Sequence, residues 1–386
     1  GAGGAPDRPA PARRGRGGGV GAAAGGGGGG GFGEGDEAPP GPSWMQELLE
    51  TELRGELSEL PMEELGLDLE DDLGEETEPA GHRSGYCTIV GLPNAGKSTL
   101  LNRLVGQRLS IVTRKAQTTR GRVLGIATAE DHQMVLLDTP GVLRERRTRM
   151  ETAMMGAVRR AMKDADVIVM LVDASRGADE ALRLMAPPEG ARRPPLALLL
   201  NKSDLLSPDE SRRAEEWAQG VAGREGGPAD AVFLVSAKSG EGVAEAQRWV
   251  SEQLPLGPRL YPREMVSEHP EKFFVAEIIR EKIMLQYEQE VPYATTVHVP
   301  VFKERRGKAK DYVGVDVIVE RESLKGILIG QRGSALKKLA TAARFDVERF
   351  LGRPVFLDIQ VKTKENWRDK DALLKEYGLL DGDQPE

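Results

Sequence analysis

Eight consecutive residues, Gly91-Leu92-Pro93-Asn94-Ala95-Gly96-Lys97-Ser98, spell G-x-x-x-x-G-K-[ST]. An apolar run, Tyr86-Cys87-Thr88-Ile89-Val90, precedes them, and Thr99-Leu100-Leu101-Asn102-Arg103-Leu104 follows with leucines at helical spacing. A strand, a glycine-bearing loop and a helix in that order form a phosphate cradle, and the flanks make the signal specific. Gly91 and Gly96 let the backbone bend so that its N–H groups point at a triphosphate, which also sits at the positive end of the following helix. The loop residues Gly91, Asn94, Ala95 and Gly96 are the expected phosphate contacts, together with Lys97, Ser98 and Thr99. Lys97 should reach the β/γ-phosphates and Ser98 a Mg²⁺ ion.

The chain has 386 residues, room for about two or three domains. An apolar fraction of 39% and a charged fraction of 30% suit a globular protein. No apolar run approaches the roughly 20 residues that span a bilayer. The net charge of -8 argues against an all-over basic coat for nucleic acid but leaves room for a local basic face. Cys87 stands alone and reads as strand packing, and His82, His132, His269 and His298 lack zinc-ligand spacing.

Residues 1–84 read as a disordered leader. From Gly1 to about Phe32 it is Gly/Ala/Pro/Arg with a run of seven glycines, a composition that cannot bury enough apolar surface to order itself. An Arg-bearing, acid-poor opening without a Met is expected of the remains of an organelle transit peptide, or of a bare flexible tail. Ser43-Trp44-Met45-Gln46 has the form of a capping box, with Met45, Leu49, Leu53 and Leu57 at four-residue spacing, so a short amphipathic helix is expected. The acidic Glu63 to Asp72 reads as a solvated tether.

From Gly85 to Leu254 short apolar strands alternate with amphipathic helices, the signature of an α/β domain with a mixed, mainly parallel sheet. Strands are expected at Tyr86–Val90, Arg122–Ala127, Met134–Leu137, Val167–Val172, Leu196–Leu200 and Val232–Val235. Helices should start near Lys97, Arg146, Asp179, Pro208 and Gly242. Ligand then lies at the carboxyl ends of the strands.

Three short motifs end strands there. Asp138-Thr139-Pro140-Gly141 puts a carboxylate where it can hold Mg²⁺ through a water, and the Gly141 N–H can meet a γ-phosphate. Asn201-Lys202-Ser203-Asp204 and Ser236-Ala237-Lys238 end two further strands. Asp204 can accept hydrogen bonds from N1–H and the exocyclic amine of guanine, which adenine does not offer. Two charge-assisted bonds at about 1.5–3 kcal/mol each would favour GTP over ATP roughly 10²- to 10⁴-fold. Asn201 and Lys202 would brace the base pocket, and the Ala237 N–H would read the guanine O6. Each motif alone is weak, but their order and placement together point to GTP.

Residues 255–270 are the expected linker, and the proline-rich run that leads into it, Leu254 to Pro262, is expected to be semi-rigid. Over 271–386 the periodicity predicts helix Glu271–Tyr287, strands Thr295–Phe302 and Tyr312–Glu320, helix Glu322–Ile329, the turn Gly330-Gln331-Arg332-Gly333, helix Ser334–Phe350 and strand Val355–Lys362. The order α-β-β-α-α-β with G-x-x-G between two helices is that of an α+β KH RNA-binding domain of the prokaryotic type. The two glycines admit an RNA backbone, and Lys325, Arg332, Lys337 and Lys338 supply a local positive face. Bases should lie over the Ile327-Leu328-Ile329 side, where some residues must be core.

Taken with the segment Lys115-Ala116-Gln117-Thr118-Thr119-Arg120-Gly121-Arg122, the chain from Gly85 to Gly378 resembles the Era family of GTPases. The segments Ser267–Val275 and Ala340–Arg344 look like those of the chloroplast Era-like proteins of plants and algae. The resemblance implies a monomeric, GTP-hydrolysing enzyme with Mg²⁺ held by Ser98, Thr119 (or Thr118) and Asp138, cycling between GTP and GDP. It implies binding of small-subunit ribosomal RNA near its 3′ end, action on the assembling small ribosomal subunit, and no DNA. The Gly/Ala-rich leader points to the chloroplast stroma, with the mitochondrial matrix or a bacterial cytoplasm as alternatives. A second reading is an RNA-binding GTPase with a membrane- or division-linked role and peripheral membrane association. A third, a non-catalytic module, would follow if Val142, where signalling GTPases carry a water-positioning glutamine, reported lost hydrolysis.

Overall fold

The computed structural model describes residues 79–113, 115–143, 145–176, 193–221, 229–305 and 309–380. The expected leader helix, acidic tether and helix near Asp179 lie outside the described residues.

Six strands form one sheet: β1 (Arg83–Gly91), β2 (Val123–Thr128), β3 (His132–Asp138), β4 (Val167–Asp173), β5 (Leu196–Asn201) and β6 (Ala231–Val235). Their order is β2-β3-β1-β4-β5-β6, with every neighbouring pair parallel except β2 and β3. The central strands are apolar on both faces because helices cover both. In β4, Val167, Val169 and Leu171 join a core with α1 (Lys97–Val105) and α4 (Val243–Gln253), whereas Ile168, Met170 and Val172 join a second core with α2 (Arg149–Lys163) and α3 (Pro208–Val221). The two-residue alternation of a strand thus feeds two cores at once. Cys87 is fully buried in the first, and desolvation pushes its thiol up to about 12, so it is an inert packing residue.

Helix α2 begins at Arg149 rather than near Arg146. Thr148 accepts from the Glu151 N–H, and the Glu151 carboxylate accepts from the Thr148 N–H, a reciprocal cap that fixes the first turn.

In the second domain β7 (Thr295–Lys303) is antiparallel to β8 (Asp311–Val319), which is parallel to β9 (Val355–Thr363). Helices α5 (Glu271–Gln286), α6 (Glu322–Ile329) and α7 (Ser334–Leu351) cover one face over a core that includes Ile279, Ile283, Val315 and Leu339. Ile318 of β8, Trp367 and Leu374 of the short helix α8 (Asp371–Glu376) belong instead to the second core of the first domain. The domains therefore share apolar packing.

The Leu254 to Pro262 connector is tied to the first domain by hydrogen bonds. The Ser84 N–H donates to Pro255 O, the Gly257 N–H to His82 O, and the buried Gln133 side chain accepts from the N–H groups of Leu260 and Tyr261 while donating to Tyr261 O. The segment is stitched to the starts of β1 and β3.

Candidate functional site

The carboxyl ends of β1, β3, β5 and β6 bring the motifs together. Gly96 adopts φ +103°, and a Cβ there would stand 2.3 Å from Asn201 Nδ2, so the position requires glycine on both grounds. Lys97 is buried, its ammonium 3.1 Å from the carbonyl oxygens of Gly91 and Leu92, so it spans the loop it serves. Burial lowers its pKa to about 8, with Asp138 opposing that shift. Phosphate charge at this spot would raise it again.

Ser98 Oγ donates to Asp138 Oδ2 at 2.7 Å and lies 3.0 Å from Thr119 Oγ1, which is itself 3.3 Å from the same carboxylate oxygen. Two hydroxyls and a carboxylate, from α1, the segment before β2 and the end of β3, thus meet at one point. Asp138 is fully buried, its carboxyl is pushed up by desolvation, and its Oδ1 has no hydrogen-bond partner. A buried, half-satisfied carboxylate beside two hydroxyls is a hard oxygen donor set that fits Mg²⁺. Thr118 turns the other way, its hydroxyl 2.7 Å from both Thr113 Oγ1 and Lys115 O.

Gly141 follows closely on the loop: a Cβ there would meet Pro93 at 2.9 Å, and the Val142 N–H donates to Gly91 O at 3.0 Å. Val142 has its side chain against the second core.

On the base side, Asn201 is buried, donating from Nδ2 to Ala95 O at 2.7 Å and accepting at Oδ1 from the Ala237 N–H at 2.8 Å. Asp204 Oδ1 accepts from Ser236 Oγ at 2.7 Å, which fixes the carboxylate beside the Ala237 backbone. Lys202 adopts φ +73° and ion-pairs with Asp173 at the end of β4 at 2.7 Å. Arg103 on α1 donates to Ala237 O at 2.6 Å and to Lys238 O, tying the third motif down. Asp173 and Arg103 went unnoticed in sequence, since a strand-end Asp and a helical Arg carry no pattern of their own.

The sequence reading also missed the polar contacts between domains. Arg120, next to Thr119, is buried and donates to the carbonyls of Thr295, Pro292 and Tyr293 at 2.6, 2.8 and 3.1 Å. Lys115 reaches Met284 O at 2.6 Å and Tyr287 O at the end of α5, and Arg108 pairs with Glu281. The segment that carries Thr119 is therefore fastened to the second domain along its length.

In that domain Gly330 has φ +71°, with space for a Cβ blocked by Ala335 at 2.7 Å, and Gly333 has φ +76°. Gln331, Arg332, Lys337 and Lys338 are exposed around this turn. Lys325 is half-buried, 3.8 Å from Glu322. Of the three apolar residues expected beneath bases, Ile327 is exposed, Ile329 is half-buried and Leu328 is fully buried core. Among the described residues no group of His, Cys, Asp and Glu could hold a metal ion on its own, and no helix is long and apolar enough to cross a membrane.

A phosphate loop, a hydroxyl-carboxylate metal site and a guanine-type base strand on a mainly parallel sheet, joined to an α-β-β-α-α-β domain with G-x-x-G, define a GTPase carrying a KH domain. Comparison with known proteins agrees. Residues 86–202 match the family model described as 50S ribosome-binding GTPase, and residues 290–368 the KH domain model. The chain is 47% identical to an Arabidopsis thaliana protein named GTPase ERA-like, chloroplastic, over 83% of this chain and 72% of that one. It is 39% identical to GTPase Era of Thermotoga petrophila, over 78% of this chain and 98% of that one. Its structure superposes on Era in complex with MgGDPNP and nucleotides 1506-1542 of 16S ribosomal RNA with a TM-score of 0.72 at 32% identity, over 78% of this chain and 99% of that one. An Aquifex aeolicus Era variant bound to GDP.AlF4- gives 0.69 at 32% identity, over 77% and 99%. The chain belongs to the Era family of GTPases, and it is a GTP-hydrolysing enzyme.

Proposed function

We propose that this protein is a GTP-driven switch that binds small-subunit ribosomal RNA near its 3′ end during assembly of the small ribosomal subunit, in the plastid stroma. The observation that carries this reading is the fastening of the Thr119 segment to the KH domain through Arg120, which joins a nucleotide-sensing loop to an RNA-binding fold. Support comes from the Era structure holding a 16S ribosomal RNA fragment and from relatives named chloroplastic.

Lys97 and the loop amides from Asn94 to Thr99 bind the phosphates, and Asp204, Asn201 and Ala237 hold guanine. Ser98, Thr119 and Asp138 would hold Mg²⁺, which would supply positive charge against that of the phosphates. Gly141 presents its N–H to the γ-phosphate, while Val142, its own N–H committed to Gly91, brings no polar side chain to the attacking water. Orientation of that water falls to the backbone of two switch segments, a first one ending at Thr119 and a second one opening at Gly141, so hydrolysis depends on how well those segments are held. Gly330 to Gly333 admit the RNA backbone, with Lys325, Gln331, Arg332, Lys337 and Lys338 around it.

The test is binding of a labelled RNA of the small-subunit 3′ end to the full chain with GDP and with a non-hydrolysable GTP analogue. Tighter binding with the analogue is expected, and an absence of RNA binding in both states would overturn the reading.

A further inference from the structure

We propose that the tail from Trp367 to Leu380 is the element through which the nucleotide switches and the KH domain bias one another, with Asp369 and Asp371 positioning the helix that follows the second switch. The inference rests on the coupled-switch reading above and names its carrier.

The tail leaves the KH sheet at β9 and touches Arg120, beside Thr119, and the start of α2, the helix that follows the second switch. On one side Trp367 is fully buried with the Arg120 guanidinium 5.9 Å from its ring centre, and its Nε1 donates to Ala294 O at 3.0 Å. Ala294 lies between the carbonyls that Arg120 caps, so the indole braces the pocket that grips the first switch. On the other side Asp369 Oδ1 accepts from the Arg149 N–H at 3.0 Å, at the first residue of α2. The Asp371 carboxylate accepts from Arg149 Nε and Nη2 at 3.1 and 2.7 Å. Carboxylates at a helix N-terminus, one of them in a bidentate guanidinium pair, favour that placement of the helix.

The switches are joined to each other as well. Gln117 Nε2 donates to Glu151 Oε1 at 3.0 Å, and Oε2 of the same side chain accepts from the N–H groups of Arg147 and Thr148. The contacts Gln117–Glu151, Arg149–Asp369 and Trp367–Arg120, with the short stretches of chain between them, therefore close a ring. In this arrangement Thr119 Oγ1 lies 3.0 Å from Ser98 Oγ, so the ring holds the segment that brings these two hydroxyls together. Displacing either switch must open a link, and the tail carries that displacement to β9.

The Arg149–Asp371 pair is about half exposed, so its removal spares the fold. The experiment uses the full chain and a fluorescent RNA of the small-subunit 3′ end, with affinity measured in GDP and in a non-hydrolysable GTP analogue. The unaltered protein should show a ratio of at least about 5-fold, at the lower end of ordinary allosteric couplings. Asp371→Arg and Asp369→Ala should bring it below about 2-fold with GDP affinity retained, and Arg149→Asp combined with Asp371→Arg should restore it. A ratio that survives both single substitutions overturns the role of the tail and leaves the coupled switch standing. A ratio of one in the unaltered protein overturns both.

Discussion

The Arg120 guanidinium lies 5.9 Å from the centre of the Trp367 ring, so the residue next to the metal-site threonine is held by the far end of the RNA-binding domain. Arg120→Ala would leave the carbonyls of Thr295, Pro292 and Tyr293 buried without their donor. We expect a loss of about 2–4 kcal/mol in denaturant unfolding. Arg120→Lys should recover less than half of it, because a point ammonium cannot serve three carbonyls arranged for a planar fork. An unchanged unfolding midpoint in the Ala variant would show that the contact adds nothing.

Thr118 and Thr119 are adjacent and face opposite ways, one to Thr113 and Lys115, the other to Ser98 and Asp138. Thr119→Ala should abolish the Mg²⁺-dependent gain in affinity for a GTP analogue, and Thr118→Ala should retain it. Titrating the analogue with and without Mg²⁺ separates the two. The reverse pattern would assign the metal to Thr118.

Asp204→Asn turns one carboxylate acceptor into a donor facing the donors of guanine. GTP affinity should fall roughly 10²-fold or more, while xanthosine triphosphate, which offers an acceptor at that place, should bind better. Competition between the two nucleotides reads this directly. Retained GTP preference would remove Asp204 from base recognition.

Replacing Gln331 and Arg332 by Asp sets two negative charges at an exposed turn, where they would repel an RNA backbone. RNA affinity should be lost and GDP affinity kept. If the double variant still binds RNA at physiological salt, the RNA lies elsewhere on the domain.

His269 accepts the Leu124 N–H at 3.3 Å and stacks on Phe273 at 4.2 Å between ring centres. Desolvation holds its pKa below the ordinary histidine value; the Arg122 charge acts in the same direction, and Glu268, a backbone hydrogen bond at Arg122 and Glu277 oppose it. The unfolded chain therefore takes up the proton first as pH falls. Stability from this group is complete above about pH 6.5 and is lost from there down through the lowered folded value. His269→Gln should flatten the pH dependence of Tm below pH 6.5. An unaltered slope would place the acid sensitivity in other groups.

Strand positions and both glycine turns were legible because they depend on local pattern: alternation on β4, glycine at Gly96 and Gly330, polar residues at the ends of apolar runs. Helix α2 begins three residues after Arg146, where Thr148-Arg149-Met150-Glu151 carries the T-x-x-E signal that fixes its first turn. The fastening of Arg108, Lys115 and Arg120 could not be read from the residues. Their partners are mostly main-chain carbonyls and a buried Glu281, and a carbonyl leaves no mark in a sequence. Cationic side chains on a loop look solvent-facing until another domain covers them.

Asn201 spends one end of a single amide on the phosphate loop at Ala95 and the other on the base strand at Ala237. The loop proposed for the phosphates and the strand end proposed for the base are thus tied to one side chain. Both bonds are made within the protein, so loop and base pocket are braced against each other ahead of any ligand, and loss of the Asn201 amide should loosen phosphate and base binding together.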